Sequence, residues 1–184
     1  MIVESFRKLR LLHEARIQPS LPTIPYVSET FNEVKSTYFP NVTIPVRFFF
    51  VRRGPLACIT IQSFNSTIYI HEVLNHIDTP LNVMGFIFKH EILHIEITPR
   101  IIDGKEKQHP PEFWEQEKVI APERINAWEW IWLNLGDCLR VRPKLEGIDV
   151  RTNWKELWRN REVTADELRR WWEKEKAKEK MYVL

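Results

Sequence analysis

The sequence predicts an α+β domain, on three observations. VRFFFV (46–51), LACITIQ (56–62) and TIYIHEV (67–73) are short runs rich in β-branched and aromatic residues, separated by Arg53-Gly54-Pro55 and Phe64-Asn65-Ser66. The segment after them, LNVMGFIFKHEILHIEI, is apolar nearly all round, as a helix inside a domain must be. Helical periodicity flanks both, with tryptophans prominent toward the C-terminus.

Taken in order, residues 2–16 place Phe6, Leu9 and Leu12 at helical spacing, and the prolines of QPSLPTIP stop that helix. Ser28 can cap a second helix carrying Phe31, Val34 and Tyr38, ending before Pro40. The three β runs then read as an antiparallel meander. After Asp78-Thr79-Pro80 comes the buried helix, closed by Pro99 and a polar loop, IIDGKEKQ, with one glycine. Pro110 and Pro111 suit the first turn of a helix containing EFWEQEKVI, because the missing amide hydrogens have no intrahelical partner there. Pro122 opens ERINAWEWIWLNL, whose apolar stripe is Ile125, Trp128, Ile131, Trp132 and Leu135, with Gly136 as C-terminal cap. The remainder reads as helical: Trp154, Leu157 and Trp158 recur at i, i+3 and i+4, and Thr164 to Glu167 has the form of a capping box before Leu168, Trp171 and Trp172.

With 184 residues, 43% of them hydrophobic, the chain can build one core. Its organisation reads as an N-terminal helix and linker (1–27), a core domain (28–136) and a basic, Trp-rich helical extension (137–184). Net charge is +2, but from Arg140 onward thirteen Lys and Arg face nine Asp and Glu, which makes the C-terminal quarter the basic part. The charged N-terminus has no apolar signal region and no stretch reaches the roughly 20 apolar residues of a membrane span, so the expected location is cytoplasmic, away from membranes. In that compartment Asn41 and Asn65 stay unglycosylated. Cys58 and Cys138 form no CxxC pair and read as two buried thiols.

His90, Glu91 and His94 form HExxH within the buried helix. Positions i and i+4 share one helical face, so two imidazoles can reach one ion with Glu91 beside them, and an ion compensates the burial of both rings. His71 and His76 are five apart in a strand running into a loop, and His13 has no second histidine within a turn; all three read as structural. The expected third ligand is His109 in HPPEFW, where a proline-initiated helix anchored by Phe113 and Trp114 would fix the ring. Glu112, Glu123 and Glu129 are the rival third ligands on the downstream helices.

HEILH, a loop of modest length containing IDG, and then HPPEFW together resemble the SprT-like zinc metallopeptidases, in which HExxH is followed by a His-Gly-Pro-x-Phe or His-Ser-x-x-Phe-Trp element. The YgjP-like and WLM-like peptidases share this plan. The resemblance covers roughly residues 28–135 and implies a zincin-like minimal metallopeptidase with an HExxH active-site helix. His90, His94 and His109 would be the Zn2+ ligands, Glu91 the general base, and a protein or peptide the substrate. It also implies that the last strand before that helix borders the cleft, so that TIYIHEV would pair with an extended substrate. Pro110 stands where many of these proteins have glycine, and the C-terminal zinc ribbon of many has no counterpart in 184 residues. A second reading makes the chain a nucleic-acid-associated binding module with a structural or inactive zinc site. There Arg159, Arg161, Arg169 and Arg170 would contact DNA phosphates while Trp158, Trp171 and Trp172 stack on bases.

Overall fold

The computed structural model describes residues 25–142 and 147–159, and over these the chain is a mixed α+β fold. Helix α1 (Pro25–Tyr38) buries Val27, Phe31 and Val34 on one face. It begins three residues before Ser28, which lies inside the first turns instead of capping them. Strands β1 (Val46–Val51), β2 (Ala57–Ile61) and β3 (Ser66–His71) form one sheet, and α2 (Leu81–Glu96) is the buried helix. Met84, Phe88, Ile92 and Leu93 of α2 have no exposed surface, and Phe31, Phe48 and Phe88 meet with ring centroids 5.1–5.2 Å apart, joining α1, β1 and α2. The helix of residues 2–16 and everything from residue 160 onward, including the capping box and the basic aromatic stretch beyond Arg159, lie outside the described residues.

The sheet is not an antiparallel meander. Its order is β1-β3-β2, with β1 parallel to β3 and β2 antiparallel to it. The link from β1 to β2 crosses the end of β3, where His71 N–H donates to the Leu56 carbonyl at 2.9 Å. Gly54 adopts φ +121°, a region that favours glycine, and the link then pairs with a C-terminal ribbon through Leu56 N–H to the Ile148 carbonyl (2.8 Å) and Val150 N–H to the Gly54 carbonyl (3.1 Å). Being central, β3 is paired on both edges, so the strand part of TIYIHEV offers no free edge to a substrate strand, and Glu72 and Val73 lie beyond it in a 3-10 turn.

Two further ribbons replace predicted loop and helix. IIDGKEK folds as the hairpin β4 (Arg100–Ile102) and β5 (Lys105–Lys107), turned by Asp103 and Gly104 at φ 52° and 71°, the two positive values a two-residue turn requires. Leu139–Arg142 (β6) and Gly147–Val150 (β7) are antiparallel strands, not helix, and place Leu139 and Val150 in the core. Between the ribbons, α3 (Pro111–Ile120) takes Pro111 in its first turn and buries Phe113, Glu117 and Ile120. In α4 (Arg124–Leu135) the fully buried stripe is Ala127, Ile131 and Leu135; Trp128 and Trp132 flank it and Ile125 is exposed. Gly136 follows as C-cap in a right-handed conformation, and the chain continues into a 3-10 turn. Cys138 is buried and Cys58 half-buried, and neither forms a disulfide. Among the described residues no helix is long and apolar enough to cross a membrane.

The short helix α5 (Trp154–Arg159) packs its tryptophans inward, Trp154 edge-on to His71 and Trp158 against His76. His71 is buried with both ring nitrogens committed: Nδ1 accepts from Val73 N–H at 3.1 Å, so Nε2–H donates to the Arg52 carbonyl at 3.0 Å. Burial lowers its pKa from 6.5 to about 4, the Arg52 carbonyl opposing and the Lys155 charge adding to the fall. The unfolded chain therefore takes a proton between pH 6.5 and 4 that the folded chain refuses. Stability should be full above about pH 6.5 and drain as pH falls toward 4, by on the order of 3 kcal/mol from this residue. Urea midpoints at pH 7 and pH 4.5 should therefore differ less in His71→Gln than in wild type; equal differences would contradict this assignment.

Candidate metal centre

Helix α2 carries His90 and His94 one turn apart, and the β4–β5 hairpin returns the chain so that His109 arrives at the start of α3. Their ring centroids lie 5.2 Å (His90–His94), 5.0 Å (His90–His109) and 4.8 Å (His94–His109) apart. One nitrogen from each ring falls within 4.8 Å of the others; among the described residues this is the group of three His, Cys, Asp or Glu side chains able to hold a metal ion. Two nitrogens bound at about 2.0–2.1 Å to one tetrahedral ion stand about 3.3 Å apart. Nε2 of His90 and Nε2 of His109 are 3.2 Å apart, so this pair already has the spacing of two ligands.

Phe113 forms the floor. Its ring lies 5.1, 4.6 and 4.8 Å from those of His90, His94 and His109, and it is fully buried. Trp114 lies on His109 at 4.9 Å. Pro111 at the first turn of α3 therefore aims the helix, and Phe113 and Trp114 fix the approach of the His109 ring. None of Glu112, Glu123 and Glu129 joins the three histidines. Glu112 pairs with Arg100 at 2.5 Å, and Glu123 with the buried Lys89 at 2.7 Å, whose ammonium also sits 3.9 Å from the Tyr38 ring centre.

The electrostatics divide the rings. Burial, followed by the charges of His90, His94 and Arg124, pushes His109 down to about 2, so it presents a neutral nitrogen lone pair at every physiological pH. Burial also opposes a charge on His90, but the hydrogen bond to Glu117, the charge of Glu117 and then that of Glu91 outweigh it and raise the pKa above the usual 6.5. A metal entering the site must displace that proton.

Glu117 is the residue that motif reading misses. It has no exposed surface, its Oε1 accepts from His90 Nδ1 at 2.5 Å, and its Oε2 lies 2.8 Å from Arg124 Nε. The signal was available: Glu117 stands four residues after Phe113 and three before Ile120, on the face of α3 that must be buried. Glu91 is buried in α2 beside His90, and its charge reaches that ring. Comparison with family models, with curated proteins and with solved structures finds no match to this chain.

Proposed function

We propose that the chain is a zinc-dependent peptidase of zincin type, with His90, His94 and His109 holding the ion and Glu91 acting as general base. The observation that carries this reading is the convergence of three imidazoles, one of them neutral by burial and one tied to a buried carboxylate, next to a buried glutamate. All-nitrogen sets of three suit zinc and leave a position open, as catalytic sites do. Bound there, zinc supplies Lewis acidity, lowering the pKa of water toward about 7 and polarising a carbonyl.

The chain's own groups do the rest. Glu91 takes the proton of the attacking water and delivers it to the leaving amine. Glu117, bonded to His90, and Phe113, against all three rings, hold them still while this happens. Because β3 is central, an extended substrate would have to pair with an outer strand of the sheet or bind through side chains alone.

The test is metal content together with hydrolysis. The purified chain should carry close to one zinc by elemental analysis and cleave unfolded casein; a strong chelator should abolish cleavage and added zinc restore it. Protein that folds and cleaves after complete removal of metal would overturn the reading.

A further inference from the structure

Glu117 and Arg124 lie outside the HExxH element, yet together they touch the support of two of the three histidines. A carboxylate only accepts hydrogen bonds, so the 2.5 Å contact fixes the proton of His90 on Nδ1 and leaves Nε2 as the nitrogen directed toward the other rings. A carboxylate with no exposed surface needs a counter-charge, and Arg124 provides it at 2.8 Å from the other oxygen. The same guanidinium stands 5.4 Å from the ring centre of Trp114, which lies on His109. The turn at Ala121 to Glu123 makes this possible by folding the first residue of α4 back over the last turn of α3. A plain structural ion pair would have no reason to spend its second oxygen on an imidazole of the site.

We propose that Glu117 and Arg124 are positioning residues of the metal centre: Glu117 presets the tautomer and orientation of His90, and Arg124 holds Glu117 directly and His109 through Trp114. This rests on the metal-centre reading, and its test separates the two. Zinc affinity of the full chain would be measured by competition with a chromophoric chelator for wild type, Glu117→Gln, Arg124→Gln and Arg124→Lys. Glu117→Gln keeps the size but loses the charge and should weaken zinc by about 10–100-fold, the usual cost of losing such a partner. Arg124→Gln should follow it, and Arg124→Lys should recover only part, because an ammonium lacks the planar group that serves both Glu117 and Trp114. In proton–nitrogen spectra of the zinc-loaded chain, the Nδ1 proton of His90 should lie far downfield in wild type and move upfield in Glu117→Gln, which general loss of packing would not produce.

Wild type that binds no zinc would overturn the metal-centre reading, and this proposal with it. Zinc-binding wild type beside a Glu117→Gln variant with affinity within about threefold and an unmoved Nδ1 proton would overturn the positioning role alone. Should Glu117→Gln fail to fold, the double variant Glu117→Gln/Arg124→Gln leaves no unpaired buried charge and is judged by the same two readouts.

Discussion

Glu91→Gln is expected to keep its zinc and lose hydrolysis by about 10²–10⁴-fold, the range for a positioned general base. The substitution preserves shape in a buried position of α2 and removes only the capacity to take a proton. Zinc should not weaken, because Glu91 is not among the three clustered histidines and its charge is one of those favouring the competing proton on His90. Elemental analysis beside a casein assay checks both halves. Cleavage by Glu91→Gln at the wild-type rate would remove Glu91 from the mechanism.

His109→Ala should weaken zinc by at least about a hundredfold, beyond the about 10–100-fold of a supporting partner, because it deletes a donor from a set of three. Glu112→Ala, Glu123→Ala and Glu129→Ala should stay within about threefold of wild type, since none of these carboxylates joins the cluster. Glu123→Ala has a different cost: it strips the buried Lys89 of its partner and should lower stability instead of metal affinity. Phe113→Ala should do both, losing about 3–5 kcal/mol as a fully buried aromatic and loosening all three rings that rest on it. Metal titration and urea unfolding across the five variants separate these effects. A glutamate variant that lost zinc while His109→Ala kept it would move the third ligand to a helix carboxylate.

The parts legible in the sequence were those set by local pattern. Residues 81–96 are apolar nearly all round, as a helix inside a domain is, and HExxH within it places two imidazoles on one face without any knowledge of tertiary structure. The positions of β1, β2 and β3 follow from composition, but their order does not. A period of two says that a segment is a strand and leaves its partner open, and here the link between β1 and β2 also pairs, at Gly54 and Leu56, with a ribbon about ninety residues downstream. Asp103-Gly104 was readable as a hairpin turn, yet the strands it joins are three residues each and too polar to announce themselves. β6 and β7 were hidden for a related reason, since LRVR and GIDV are short and stand between helical segments. In α4 the small Ala127 opens the buried stripe that Ile131 and Leu135 continue, and the larger Trp128 and Trp132 stand at its flanks. Glu117 was overlooked because charge argues for exposure until a partner is seen, and its partners, His90 and Arg124, come from two other helices.

The central claim, a three-histidine zinc centre, is tested most directly by X-ray absorption at the zinc edge of the stoichiometrically loaded protein. Three imidazole shells at about 2.0–2.1 Å with one further light-atom ligand are the predicted spectrum, falling to two imidazoles in His109→Ala. A sulfur shell near 2.3 Å, or a count of imidazoles that His109→Ala leaves unchanged, would contradict it.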